Sequence, residues 1–247
     1  MSSQIISINI SKKKTTFITI SSLIIFLLSI FFWKQNSIEV NFLVFHNFVY
    51  QHETIHHLFS MISHYGMSCI VFTYTVLLFL WVQKNDQTEY GILFFYILLC
   101  FATASIFGDI LKEIINRARP VIELGGKILN TKVSESPAFP SGHATKVMAL
   151  ALPFVVMAPN SIKLNKLLKI VVLAIGLLVS YSRIALQRHY LSDVFGGIAI
   201  ALAFTIIMVF VINRLNIKMQ LNKDKLMMMN KRLRFVFLAL TVVLTML

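Results

Sequence analysis

Long apolar runs, separated by short polar segments, extend along most of the chain. About 20 apolar residues cross a bilayer as one helix, and six runs approach or reach that length. They lie at about 15–33, 66–82, 90–111, 144–159, 167–183 and 190–213. The pattern predicts an all-α polytopic membrane bundle with six transmembrane helices. No internal repeat or linker divides residues 1–247, so a single domain is predicted.

Two segments do not fit the six runs. Residues 34–65 mix Phe and Val with five histidines, which predicts an extramembrane or interfacial segment. The apolar end at 235–247 is short for a crossing, and its location stays open, an interfacial position being one interpretation. It completes a basic tail at 214–247 that is predicted to be cytoplasmic.

Composition and charge support the membrane assignment. Apolar side chains make up 57% of the 247 residues and charged side chains 13%, which is more apolar surface than a soluble domain of this size can bury. The formal net charge of +13 lies mostly between the apolar runs, which favours membrane topology over nucleic-acid binding. Cys69 and Cys100 both lie inside apolar runs, so neither a disulfide framework nor a thiolate metal site is indicated. No obligate protein partner is inferred.

The distribution of basic residues predicts the orientation. Lys and Arg are concentrated on one side of the predicted bundle, and by the positive-inside rule that side is cytoplasmic. It comprises both termini and the segments 83–89, 160–166 and 214–234. The opposite, outer side comprises 34–65, 112–143 and 184–189.

A polar cluster at 182–193 separates the fifth run from the sixth. It contains Arg183, Arg188, His189 and Asp193, and ionisable groups at membrane depth are paired, solvated or functional. If the chain is helical from Tyr190 onward, His189 and Asp193 share a helix face. The carboxylate can then orient the imidazole and favour its imidazolium, which predicts a positioned nucleophile or base.

Two further polar segments fall on the same outer side. Lys112 and Arg119 are seven residues apart, about two helical turns, so they share a face if the third helix extends past the membrane. Pro140-Ser141-Gly142-His143 leads into the fourth run, where Ser141 can cap the helix and its first amides can face an anion. Fixed cations, a helix N-terminus and two histidines together suit a phosphoryl group.

Each segment also has an ordinary explanation. Lys112 and Arg119 could be anchors at the membrane boundary, residues 140–143 a simple turn and cap, and His189 with Asp193 a structural pair. Those explanations do not account for three such segments on one face of a chain that has few charges.

The three segments resemble the signature of the type-2 phosphatidic acid phosphatase superfamily. In order, they read Lys112-x6-Arg119-Pro120, Pro140-Ser141-Gly142-His143 and Ser182-Arg183-x5-His189-x3-Asp193. Every signature position is filled, and the apolar runs favour the membrane phosphatases of this superfamily over its soluble vanadium haloperoxidases. The resemblance implies a metal-independent, two-step phosphoryl transfer without a cofactor, at the periplasmic face of a bacterial inner membrane.

The resemblance also implies a role for each signature residue. His189 would attack phosphorus and form a phosphohistidine, with Asp193 holding its ring in the reactive tautomer, and His143 would protonate the leaving oxygen and then activate water. The phosphoryl oxygens would be held by Lys112, Arg119, Ser141, Gly142 and Arg183. A transporter or scaffold would also hold buried charges, but the complete signature argues against one.

The expected substrate is a membrane lipid whose phosphate lies at headgroup level, because the site is placed at the outer interface. Lipid A phosphate and undecaprenyl pyrophosphate are favoured, with phosphatidylglycerol phosphate and phosphatidic acid as alternatives. A lipid-to-lipid phosphotransferase could use the same site. Four residues near the signature are candidate headgroup contacts or, equally, boundary anchors: Arg117, Lys146, Gln187 and Arg188.

A competing motif lies in the histidine-rich segment. His52-Glu53-Thr54-Ile55-His56 fits the His-Glu-x-x-His pattern of zinc proteases, in which two histidines on one helix face bind the metal and the glutamate acts as base. No third ligand is specified, so a metalloprotease is a remote alternative. The ordinary explanation is an interfacial helix whose apolar face lies toward lipid.

Overall fold

The computed structural model describes residues 11–84, 88–120, 136–158, 163–215 and 223–246. Within these ranges the chain forms nine helices and no strand, which confirms the all-α prediction. The helices are α1 (Lys12–Lys34), α2 (Asn36–Phe45), α3 (Asn47–Gln51), α4 (Glu53–Lys84), α5 (Thr88–Ile115), α6 (Gly142–Met157), α7 (Lys163–Ala185), α8 (Leu191–Leu215) and α9 (Lys223–Met246).

Four helical segments among the described residues are long and apolar enough to cross a membrane. They are Lys12–Lys34, Leu93–Ile115, Lys166–Ala185 and Leu191–Val211. The predicted run at 144–159 corresponds to α6, which is a shorter apolar helix of 16 residues. The predicted run at 66–82 lies within α4. The chain is therefore a multi-pass membrane protein, and the count of six crossings stays a prediction.

Helix α6 lies at the centre of the bundle. It packs against α5, α7 and α8, while α1 lies along α8, and α4 lies against α7 and α9. Because α6 has neighbours on several sides, nearly all of its residues from Ala144 to Phe154 are buried, as expected for a helix that is apolar all round. A Cβ added at Gly197 of α8 would lie 2.8 Å from the carbonyl oxygen of Ser141. A glycine is thus required where α8 crosses the start of α6.

The segment 34–65 packs against the helical bundle, and its extramembrane or interfacial position stays a prediction. Its first part forms α2 and α3, and residues 53–65 continue without a break into α4, a helix of 32 residues. Glu39, Leu43 and His46 are each at most 1% exposed. They are covered by protein because the segment folds onto the ends of α7 and α8, where His46 contacts the hydroxyl of Tyr181 at 2.8 Å.

The apolar end that the sequence left unplaced belongs to a longer helix. Helix α9 begins at Lys223, so it has 24 residues, and it packs against α4 and α5. Phe237 is fully buried, with its ring 6.2 Å from that of Tyr74 and 5.6 Å from that of Phe94. At this position the tail is part of the bundle core.

Candidate active site

The turn between α7 and α8 presents His189. Its backbone is fixed by hydrogen bonds from the amides of Arg188 and His189 to the carbonyl of Arg183, at 3.0 and 3.2 Å. Helix α8 then begins at Leu191, one residue later than the sequence expectation. The Asp193 carboxylate reaches back to accept a 2.8 Å hydrogen bond from the Tyr190 amide, as the third residue of a helix does in a capping box.

The His189 ring is oriented chiefly by a backbone carbonyl. Its Nδ1 lies 2.8 Å from the carbonyl oxygen of Ala138 and 3.6 Å from Oδ2 of Asp193, which is beyond ordinary hydrogen-bond distance. A carbonyl can only accept, so Nδ1 carries the proton and the lone pair is on Nε2. Asp193 is therefore not the main orienting partner that the sequence predicts. Ala138 was missed because every residue has a carbonyl, and the residue type carries no signal.

The protonation state of His189 also differs from the sequence expectation. Burial lowers its pKa to about 4, outweighing Asp193, which raises it, and Arg183 and Arg119 lower it further. Asp193 thus does not maintain an imidazolium here. At neutral pH the ring is the neutral imidazole, which is the nucleophilic form.

The N-terminus of α6 provides the opposite wall of the site. The Ser141 carbonyl accepts hydrogen bonds from the Thr145 amide and hydroxyl, both at 2.9 Å, and the Ser141 amide donates to the Asp193 carbonyl at 2.9 Å. The Ser141 hydroxyl is buried and has no hydrogen-bond partner in the described part of the chain. The predicted cap is therefore wrong, since the Ser141 side chain makes no capping hydrogen bond.

Lys112 extends over this helix terminus. Its ammonium nitrogen lies 3.2 Å from the position that a Cβ on Gly142 would occupy. A glycine at this position lets the ammonium approach the first amides of α6, which are unpaired within the helix and carry its positive dipole end. Lys112, Ser141 and Gly142 are thus brought together as predicted.

Arg119 reaches the site by a different route from Lys112. Helix α5 ends at Ile115, and Asn116 has a φ of 45°, in the left-handed region that asparagine tolerates. Arg119 consequently lies beyond the helix, and the predicted shared helical face is wrong. Its guanidinium donates to the carbonyl of Ser136 at 3.0 Å and to the hydroxyl of Ser136 at 2.7 Å.

Arg183 and His143 complete the cluster. Arg183, in the last turn of α7, donates a 2.5 Å hydrogen bond to the hydroxyl of Ser63 in α4. His143, outside the candidate spans, has its pKa lowered to about 3, first by burial and then by Arg183, His189, Lys146 and Lys112. Apart from Lys146, the groups that act on the pKa of His143 are therefore members of the predicted signature.

Two of the four candidate headgroup contacts have structural roles. Arg117 binds Asp193 and Glu39 at 2.6 and 2.7 Å. Gln187 has a φ of 51° and donates to the Leu43 carbonyl at 3.0 Å and to Asn47 at 2.6 Å. Both side chains are committed to protein groups, which corrects their assignment.

The other two candidates stay accessible. Lys146 is 36% exposed and lies 3.8 Å from the carboxylate of Asp109. The Arg188 side chain is exposed. Only these two of the four can still reach a headgroup.

The zinc-protease pattern is not placed on one helix. His52 has extended backbone angles before α4, which begins at Glu53, whereas His56 lies inside α4. Across the described ranges, no group of three His, Cys, Asp or Glu side chains is arranged to hold a metal ion.

Three comparisons with known proteins bear on this site. A family model described as the PAP2 superfamily matches residues 93–217, which include all three signature segments. Phosphatidylglycerophosphatase B of Bacillus subtilis (strain 168) is 31% identical over 146 residues, equal to 57% of this chain and 67% of that protein.

A similar solved structure is the first transmembrane PAP2 type phosphatidylglycerolphosphate phosphatase from Bacillus subtilis, determined by crystallography. The TM-score is 0.57 at 24% sequence identity, covering 82% of this chain and 95% of that one. At this identity the likeness shows a shared fold.

Proposed function

The chain belongs to the PAP2 superfamily as a membrane lipid phosphatase, and we propose that it hydrolyses a lipid phosphate monoester through a phosphohistidine at His189. The observation that carries the proposal is the geometry of the His189 ring. A 2.8 Å contact with a carbonyl keeps the proton on Nδ1, so Nε2 is free to attack phosphorus.

In the first step, Nε2 of His189 forms a bond to phosphorus as the bond from phosphorus to the lipid oxygen breaks. The leaving oxygen takes a proton from His143. His143 has a pKa of about 3 because of burial and neighbouring cations. A bound phosphate, whose second pKa is about 6, introduces negative charge, raises the pKa of His143 and can bring the proton with it.

In the second step, water attacks the phosphohistidine. His143 accepts a proton from that water, the nitrogen–phosphorus bond breaks, and phosphate leaves with His189 neutral again. Lys112, Arg119 and Arg183 hold the phosphoryl oxygens, together with the Ser141 hydroxyl and the Gly142 amide. These donors stabilise the charge that develops on the oxygens in the transition state.

The structure changes the order of candidate substrates. Lipid A phosphate or undecaprenyl pyrophosphate would need groups for a sugar or a second phosphate. Of the four candidates, Arg117 and Gln187 are occupied by protein partners, which leaves Lys146 and Arg188 for that role. Phosphatidylglycerol phosphate, a monoester, needs fewer such groups, and a relative named for phosphatidylglycerophosphatase activity supports it. We therefore place phosphatidylglycerol phosphate first and the other two after it.

The test is phosphate release by the purified protein from phosphatidylglycerol phosphate, undecaprenyl pyrophosphate, lipid A and phosphatidic acid, with His189→Ala as control. We expect the highest kcat/KM on phosphatidylglycerol phosphate. A preference for undecaprenyl pyrophosphate or lipid A would overturn the assignment of phosphatidylglycerol phosphate as the substrate. Full activity of His189→Ala would overturn the mechanism.

The same assay distinguishes hydrolysis from transfer of the phosphoryl group to a second lipid. The filled signature would serve either reaction, and only the acceptor differs. Adding a second lipid with a free hydroxyl should leave the yield of inorganic phosphate unchanged for a hydrolase. A matching loss of phosphate, recovered on the second lipid, would identify a phosphotransferase.

The site is proposed to face the periplasm of a bacterial inner membrane. Lys84 in segment 83–89 and Lys163 and Lys166 in segment 160–166 support this by the positive-inside rule. Residues 85–87 and 159–162 lie outside the described ranges. A reporter inserted at 160–162 should be cytoplasmic, and an external signal would invert the orientation.

A further inference from the structure

A second buried carboxylate lies beside the catalytic turn. Glu39 of α2 is fully buried, and its two oxygens have different partners. Oε1 accepts a 2.8 Å hydrogen bond from the Ser192 amide at the start of α8, and Oε2 accepts a 2.7 Å hydrogen bond from the Arg117 guanidinium. Glu39 therefore touches both the helix that carries Asp193 and the cation that binds Asp193.

The Arg117 guanidinium joins the two carboxylates. One of its nitrogens donates to Asp193 and to the Ser192 hydroxyl, both at 2.6 Å. Its central carbon lies over two aromatic rings, 4.3 Å from the centroid of Trp33 and 4.2 Å from that of Tyr190. Aromatic faces stabilise a cation that has lost its water, and this side chain is only 13% exposed.

Glu39, Arg117 and Asp193 form a charged array, and its net charge determines how it acts on His189. Asp193 paired with Arg117 alone would carry no net charge, and the arginine would offset part of the field that the carboxylate exerts on His189. Glu39 adds a second negative charge, so the three groups together carry one net negative charge. The carboxylate oxygen of this array that lies nearest to His189 is Oδ2 of Asp193, 3.6 Å from Nδ1.

That charge is placed where the proposed reaction needs it. When the neutral ring attacks phosphorus through Nε2 and keeps the proton on Nδ1, the imidazole becomes positively charged. The other charged or titratable groups near it are Arg183 of α7, Arg119 after α5 and His143 of α6. The two arginines destabilise a positively charged ring, and the net negative charge of the array counteracts them.

We propose that Glu39 and Arg117 are positioning residues that hold Asp193 and set one net negative charge beside His189, which stabilises the phosphorylated ring. The inference rests on the proposed function of His189 as the nucleophile. Neither residue touches the substrate, so both act through Asp193. Segment 34–65 is thereby part of the catalytic apparatus.

The first variant is Glu39→Gln, matched by Glu53→Gln, which makes the same change at an exposed site on α4. Glu39→Gln removes one negative charge but leaves Arg117 paired with Asp193. We expect kcat to fall about tenfold, as for a shift of one pKa unit, with KM within about twofold. The acid limb of kcat/KM should move to lower pH because His189 becomes harder to protonate.

Two more variants complete a charge series. Arg117→Gln leaves two negative charges and should move the acid limb to higher pH. The double variant Glu39→Gln/Arg117→Gln leaves Asp193 alone, restores one negative charge and should return the limb close to wild type. The acid limb of kcat/KM should lie at the lowest pH in Glu39→Gln, at the same intermediate pH in the wild type and the double variant, and at the highest pH in Arg117→Gln. Any two of the variants that fold are enough to test this order.

An acid limb at the same pH in Glu39→Gln and the double variant would overturn the proposal, as would wild-type kcat in Glu39→Gln. His189→Ala separates this failure from failure of the proposed function. If His189→Ala is inactive and Glu39→Gln is normal, only the positioning role is wrong. If His189→Ala is active, the nucleophile assignment itself is wrong.

Discussion

The starts of α6 and α8 form the two walls of the site, and they are built in opposite ways. At the start of α8, His189, Ser192 and Asp193 are all bound by protein groups. At the start of α6, the buried Ser141 hydroxyl has no partner in the described part of the chain, and Gly142 lies open beneath Lys112. One wall is satisfied internally and holds His189, the proposed nucleophile, in a fixed position, whereas the other leaves donors for a ligand.

The difference has a physical basis. A nucleophile gains from a fixed geometry, because correct placement removes entropy from the reaction barrier. Donors for a phosphoryl group gain from being unpaired and desolvated before the substrate arrives, since they need no rearrangement in the transition state. Substitutions in the two walls should therefore affect activity and stability in different proportions.

Among substitutions that leave the ionisable groups of both walls in place, Ser141→Ala should have the largest effect on activity at neutral pH. Loss of one preorganised donor to a developing oxyanion costs about 10²-fold in kcat. The hydroxyl has no partner among the described residues, so its removal breaks no hydrogen bond there. We expect the melting temperature in detergent to be unchanged or slightly higher, and a clear decrease would show that Ser141 has a structural partner.

Gly142→Ala should have the next largest effect. The added methyl group would lie 3.2 Å from the Lys112 ammonium and 3.6 Å from its Cε, so the flexible lysine side chain has to move away from the amides. We expect kcat/KM to fall about tenfold, corresponding to about 1.4 kcal/mol of transition-state stabilisation. The salt dependence of phosphate product inhibition should change with it, and wild-type values for both would show that Lys112 is not held at this position.

Ser192→Ala is the counterpart of Ser141→Ala in the other wall. It removes an acceptor at 2.6 Å from the Arg117 guanidinium, and a hydrogen bond to a charged group contributes about 1.5–3 kcal/mol. The free energy of unfolding should fall by about that amount, whereas kcat should change by about threefold or less. A loss of activity as large as that of Ser141→Ala would remove the distinction between the two walls.

Each wall contains a histidine that is buried as a neutral ring, and the pH dependence of stability should show this shared feature. The folded-state pKa values of His143 and His189 are about 3 and about 4, against an ordinary value of 6.5. Between those pH values the unfolded chain binds more protons than the folded chain does. The contribution of the two neutral histidines to the free energy of unfolding is therefore fully present above about pH 6.5 and falls as the pH decreases toward 4. His143→Gln should flatten this decline, and an equally steep decline in that variant would show that His143 is not buried as a neutral ring.

The sequence predicted the all-α composition correctly, and the structure brings most of the predicted signature residues together. Apolar runs mark helices because a backbone in hydrocarbon has to satisfy its own hydrogen bonds, and α1, α5, α7 and α8 follow the predicted runs closely. The sequence was less informative where side chains choose between partners. As a cation near the signature, Arg117 is predicted to be a headgroup contact or, equally, a boundary anchor, and only the buried positions of Glu39 and Asp193 show its structural role.

By itself, the sequence determined the all-α class and the family, and it supplied the candidate residues for phosphoryl chemistry, because these depend on local patterns and fixed spacings. Tertiary structure alone decided that the Ala138 carbonyl orients His189, that the Ser141 hydroxyl is left unpaired within the described chain, and that Glu39 reaches Ser192 across 153 residues of chain. No local rule relates positions so far apart. They meet because packing of α2 and α8 brings them together, and a buried charge is stable only where that packing supplies its partner.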